Sequence, residues 1–224
     1  MEREQVLENI LECRRQLRQA GGGDVEICAV TKTQSAQTAN WAWEAGLTRV
    51  GENRVQELLQ KLPALNPHFQ VDFIGQLQTN KVKYIVDQVS RVQSLDRMAL
   101  ALELDRRCRA AGKVMDCLVQ VNIAREPQKA GLAEEELPAF LAAAALLPGI
   151  RIRGLMAVMP LTRDPESLRP YFRRMRLWFD RLRREAPEGV AMECLSMGMS
   201  GDYLVAAQEG ATLVRLGSAI FGAR

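Results

Sequence analysis

Short apolar runs and helical patterns take turns along this chain, eight times over, and that alternation leaves few folds open to it. The run VEICAVT (25–31) is apolar almost throughout, as a parallel strand buried on both faces must be. Ser35 then caps a helical pattern that runs to Ala45 and stops at Gly46. Strand-like runs follow at 48–51, 71–74, 89–93, 114–122, 150–158, 192–195 and 212–216, each leading into a helical stretch. An amphipathic helix over 4–20, stopped by Gly21, Gly22 and Gly23, lies outside the repeat. Eight β units in 224 residues predict α/β architecture closed into a single (β/α)8 barrel, one domain over 1–224 with its leading helix at 4–20. An open doubly wound sheet is the alternative, but no G-x-G-x-x-G follows the first strand.

Composition narrows the partners. A formal net charge of +3 is too small to argue for nucleic acid or a membrane surface. The apolar runs fall well short of the roughly 18 residues of a membrane span, and the charged N-terminus MEREQVLENI is no secretory signal. Five cysteines without a C-x-x-C pair read as buried reduced thiols of a cytoplasmic protein. The single histidine, His68, sits beside Pro67 in a turn and is expected to be exposed and idle, which argues against His-ligated zinc and Ser-His-Asp chemistry. The Arg-rich helix after the sixth strand alternates basic and apolar residues and reads as an amphipathic helix with a solvated basic face.

In such a barrel, active groups gather at the C-terminal ends of the strands. Those ends supply Lys32, Asn53, Ser196, Ser200, Arg215, Gly217 and Ser218. The last two units end in turns that set Ser beside Gly at predicted helix starts, from 196 to 201 and at 217–218. Backbone N–H groups presented there suit a phosphate, although Ser and Gly also serve simply as turn residues. Lys32 follows an apolar run, where partial desolvation favours its neutral, nucleophilic form; a snorkelling lysine paired with Glu52 is the alternative. Asn53 has the alternative role of helix N-cap. Arg215, inside an apolar strand, needs a buried partner, and the pyridine nitrogen of a cofactor would be one. A mouth lysine beside a phosphate cradle suggests a phosphorylated aldehyde, with pyridoxal 5′-phosphate (PLP) the foremost candidate.

Several motifs in order carry a resemblance: AVTKT with Lys32, VGENRVQE, DFIGQLQTNK, VNI with Lys129 and Gly131 downstream, RGLMAV, and LSMGMSGD joined to TLVRLGSAIFG. They resemble the pyridoxal phosphate homeostasis protein family, which is similar to the N-terminal barrel domain of alanine racemase, the fold-type III class of PLP proteins. The resemblance covers roughly 5–224. It implies that Lys32 holds PLP covalently as a reversible Schiff base. Ser200, Gly217 and Ser218 would hold the phosphate, Arg215 would face the pyridine nitrogen, Asn53 would lie near the ring, and Ser196 and Met197 would form the wall beside the phosphate. Two positions depart from the family pattern, Asp72 where histidine is common and Arg54 where an aromatic is frequent.

The implied function is binding and buffering PLP and supplying it to apo-enzymes, by a monomer for which the resemblance implies no established reaction. Two alternatives stand beside it. An amino-acid racemase of the alanine racemase type needs a second base, and here the position four after the lysine is Ala36, the tyrosines Tyr84, Tyr171 and Tyr203 fall away from strand ends, and a further C-terminal domain is not expected after Arg224. A metabolic barrel enzyme could use Lys32 on another phosphorylated carbonyl substrate.

Overall fold

The computed structural model describes residues 2–222. Met1, Ala223 and Arg224, the extremes of the predicted domain and of its last helical piece, lie outside the described residues. Eight parallel strands pair in chain order and close into a barrel: β1 (Glu26–Val30), β2 (Arg49–Glu52), β3 (Gln70–Phe73), β4 (Arg91–Leu95), β5 (Met115–Val121), β6 (Ile150–Ala157), β7 (Val190–Met199) and β8 (Leu213–Leu216). Strand β8 returns to β1, with Cys28 opposite Arg215. The fold is the (β/α)8 barrel that the alternation predicts.

Helix α1 (Arg3–Gln19) precedes the barrel and buries Val6, Ile10, Cys13 and Leu17, a stripe at the three-to-four spacing of one helix face. Gly21, at φ 83°, takes the chain out of that helix. The outer ring is α2 (Ala36–Glu44), α3 (Val55–Lys61), α4 (Val82–Ile85), α5 (Met98–Ala110), α6 (Leu137–Ala144), α7 (Arg169–Glu185) and α8 (Tyr203–Gln208), with a one-turn α9 (Ser218–Phe221) after β8. The main core lies between strands and helices. There α7 contributes Phe172, Met175, Phe179 and Leu182, each worth roughly 1.5–3 kcal/mol when fully buried. Its basic face is partly tied down: Arg169 and Arg173 both pair with Glu209 at the end of α8.

A separate cluster, Cys28, Leu118, Met156, Cys194 and Leu213, joins residues of five strands. Buried beside it are charged and polar side chains, among them Arg49, Asp72, Arg91, Gln93, Ser196 and Arg215. Barrel interiors are usually filled by branched aliphatics, so this polar content calls for an explanation.

One strand runs longer than expected. The pattern places a turn over 196–201, yet β7 continues to Met199, because Ser196 pairs with Leu213 and Met199 with Arg215 across an irregular register. Gly198 makes the irregularity possible: it takes φ 96°, and a Cβ there would stand 2.6 Å from that of Ala206. All five cysteines are free and buried. His68 is exposed, as expected, and stacks on Trp43 at 5.8 Å between ring centroids. Among the described residues no helix is long and apolar enough to cross a membrane, and no cluster of side chains has the make-up of a metal site.

Candidate functional site

A cavity of about 620 Å³ opens at the C-terminal ends of the strands, the end that carries active sites in this architecture. Six of the eight residues singled out from sequence line it: Lys32, Asn53, Ser200, Arg215, Gly217 and Ser218. The other two do not. Ser196 and Met197 lie within β7, both fully buried: Ser196 hydrogen-bonds Arg215 from the barrel interior, and Met197 belongs to the main core. The wall expected from them is built instead by Met199, Ser200 and Gly201, because β7 extends past the predicted turn. The sequence reading also missed the apolar walls Val30, Ile74 and Val158. Each sits at or just beyond a strand's end, where counting alternate residues from the buried interior positions would have found it. A smaller cavity of about 280 Å³, beside Gly22 and Gly46, contains none of the predicted residues.

Lys32 is half-buried two residues beyond β1, and the peptide on either side of it is held. Thr31 donates its N–H to Gly51 O at 3.1 Å and its hydroxyl to Glu52 Oε1 at 2.5 Å, while its carbonyl accepts from Lys61 Nζ at 2.7 Å. Thr33 adopts φ 66°, unusual for a β-branched residue, with its N–H donated to Glu57. Lys61 Nζ also lies 2.5 Å from Glu52 Oε1 and 3.3 Å from Glu57 Oε1. Glu52, the candidate partner for Lys32, thus has Oε1 occupied by Thr31 and Lys61. Burial pushes its carboxyl above the ordinary range, outweighing the pull of those two donors.

Asn53 is not a helix cap, since α3 starts from Arg54. Its side-chain Oδ1 is buried with no hydrogen-bond partner among the described residues. Gly75 packs against its backbone so closely that a Cβ would fall 2.2 Å from Asn53 O.

The final two turns are stitched together by one hydroxyl. Ser200 Oγ accepts the N–H groups of Gly217 and Ala219, each at 3.1 Å. The carboxylate of Asp202 in turn accepts the Met199 N–H at 2.5 Å and sets the turn out of β7. Arg215 lies just below. It is 4% exposed, with NH1 donating to Ser196 O at 2.9 Å and Oγ at 2.6 Å, and NH2 to Ala157 O at 2.7 Å. Burial lowers its pKa from the ordinary arginine value.

A half-buried amine, a buried guanidinium and two Ser/Gly turns thus face one volume, an arrangement suited to a small ligand with an electrophilic carbon at one end and an anion at the other. Known proteins bear on the same point. The alanine racemase N-terminal domain family matches residues 3–224. A pyridoxal phosphate homeostasis protein from Aquifex aeolicus is 42% identical over 98% of this chain and 95% of its own length. The chain belongs to the pyridoxal phosphate homeostasis protein family. A second homeostasis protein, from Pseudomonas aeruginosa, is 38% identical over 98% of this chain and 96% of its own. Among solved structures, PipY of Synechococcus elongatus PCC7942, determined with PLP bound, superposes with a TM-score of 0.87. It is 34% identical and covers 97% of this chain and 100% of its own. This homeostasis-family chain therefore shares its fold, over 97% of its length, with a structure determined with PLP bound.

Proposed function

We propose that the chain binds PLP in the mouth cavity, holds it reversibly on Lys32, and serves as a cytoplasmic, monomeric store from which apo-enzymes are supplied. The observation that carries this reading is the convergence of Lys32, Arg215 and the two Ser/Gly turns on one cavity. The residues present fit the cofactor. Asn53 Oδ1 is a buried acceptor with no partner among the described residues. Arg215 Nε makes no hydrogen bond among the described residues, while the other two nitrogens are engaged. A Cβ at Gly217 would meet nothing nearer than Val30, at 3.5 Å, so the missing side chain leaves room rather than relieving a clash.

Bound PLP supplies an aldehyde that a primary amine captures reversibly. Lys32 is the amine facing the cavity. Ser200 and Ser218 would offer hydroxyls, and Ser218 a backbone N–H, to the phosphate, while Gly217, whose own N–H is held by Ser200 Oγ, would leave room for it. Arg215 carries a permanent charge and only donors, so it would hold a ring nitrogen as an unprotonated acceptor. Held in this way by Arg215, the ring would withdraw electrons weakly, which supports retention over carbanion chemistry.

The racemase alternative requires a second acid–base group. No tyrosine, histidine or cysteine lines the cavity among the described residues. Tyr203 donates its hydroxyl to Gln16 at 2.5 Å, and Tyr84 is exposed.

Borohydride treatment of protein loaded with PLP tests the reading: mass spectrometry should find the reduced adduct on Lys32, and a folded Lys32→Ala variant should remain unlabelled. An adduct on a different lysine would reject the assignment. Incubation with L-alanine in deuterated water should leave its α-hydrogen in place; exchange with loss of chirality would restore the racemase.

A further inference from the structure

Arg215 has no carboxylate within ion-pair distance among the described residues, yet it sits in a chain of hydrogen bonds that ends on one. Its NH1 donates to Ser196 Oγ at 2.6 Å. Ser196 Oγ donates to Gln93 Oε1 at 2.7 Å, and Gln93 Nε2 donates to Asp72 Oδ2 at 2.6 Å. Asp72 is fully buried and is met from the far side by Arg49 NH1 at 2.7 Å and Arg91 Nε at 3.4 Å.

Every link in that chain runs in the same sense, and the inventory of donors explains why. An ionised carboxylate only accepts, so Asp72 draws the amide nitrogen of Gln93 toward itself and turns Oε1 the other way. Ser196 has one hydroxyl proton, which goes to Oε1 and leaves a lone pair toward Arg215. The guanidinium is planar, so fixing NH1 on Ser196 and NH2 on Ala157 fixes the direction of Nε as well. Each member is buried, and chains of this kind strengthen one another where water is excluded.

We propose that Asp72, Gln93 and Ser196 are positioning residues: they aim the Arg215 guanidinium so that Nε remains available to the ring nitrogen of the ligand, and the charge of Asp72 sets the polarity of the relay. This rests on the reading of Arg215 as the partner of that nitrogen. It accounts for polar side chains in a part of the barrel normally filled by aliphatics, and it gives Ser196 a task in place of the cavity wall expected from sequence.

The experiment compares two ligands, PLP and its analogue in which the ring nitrogen is replaced by C–H, on the wild-type chain and on Ser196→Ala, Gln93→Met and the double variant. Each single variant should bind PLP about tenfold more weakly while its affinity for the analogue stays within about twofold. The double variant should be no weaker than the poorer single variant, since both changes cut the same chain. Equal weakening of both ligands, unchanged PLP affinity, or additive losses would overturn the relay. Failure of the wild-type chain to prefer PLP over the analogue would instead remove Arg215 from the ring nitrogen. Ser196→Ala deletes a single oxygen, so if Gln93→Met does not fold, the ligand ratio of Ser196→Ala decides alone.

Discussion

The Lys61 ammonium lies 2.5 Å from Oε1 of Glu52, with both side chains almost wholly removed from water. The same ammonium holds the carbonyl of Thr31, the residue before Lys32. A buried ion pair at the end of α3 therefore braces the peptide that presents Lys32.

Removing one member of that pair leaves the other charged and without its partner. Lys61→Met is expected to cost about 3 kcal/mol or more in urea unfolding, whereas Lys61→Met combined with Glu52→Leu should recover much of the loss because the fully buried carboxylate is gone and Glu57, part-exposed, keeps the Thr33 N–H. Borohydride labelling of Lys32 should fall in both, since both lose the brace on Thr31.

Glu52 also gives stability a pH dependence of known sign. Its folded pKa lies above its unfolded value near 4.5, so the folded state binds the proton more tightly. The contribution of this group is complete below that value and is lost as pH rises through the folded pKa. Unfolding free energies measured from pH 4.5 upward should decline less steeply for Glu52→Gln than for the wild type. Buried Asp72 is shifted in the same direction by desolvation and adds to the slope that remains.

Two glycines at the mouth should behave differently. In Gly217→Ala the new methyl meets nothing closer than 3.5 Å and the backbone sits at φ −112°, so unfolding should stay within about 0.5 kcal/mol while PLP retention drops. In Gly75→Ala the methyl would fall 2.2 Å from the Asn53 carbonyl oxygen, so stability should fall by about 1–3 kcal/mol along with retention. Thermal melts paired with PLP titrations check both.

The five buried thiols should be inert in the folded chain. Desolvation raises each of them, to about 11 for Cys108 and well above the ordinary value for Cys28 and Cys117. A thiolate-selective reagent should modify none of them rapidly in native protein and all five after denaturation.

How far the sequence revealed these features depends on whether the cause is local. Parallel strands covered on both faces leave uninterrupted apolar runs, so the eight units were countable, and Lys32 and Arg215 could be placed at strand ends. The continuation of β7 was hidden because Ser196 looks like a turn residue unless its partners Gln93 and Arg215, on other strands, are known. Lys61 was hidden for a similar reason. A lysine closing a short helix normally faces solvent, and only the packing of α3 against the start of the Lys32 loop brings it to Glu52. Asn53 looked equally like a cap, and the choice fell to Arg54 through backbone geometry alone.

The contact between β1 and β8 has a consequence for how the protein is made. Lys32 follows the first stave of the cylinder and Arg215 stands on the last, so most of the polypeptide separates the two groups that line one cavity. A ribosome exposes the amine long before the guanidinium and the anion grip have been synthesised. On the proposed reading, ligand capture must wait for the final stave to lock against the first, which makes borohydride labelling of Lys32 a gauge of completed closure.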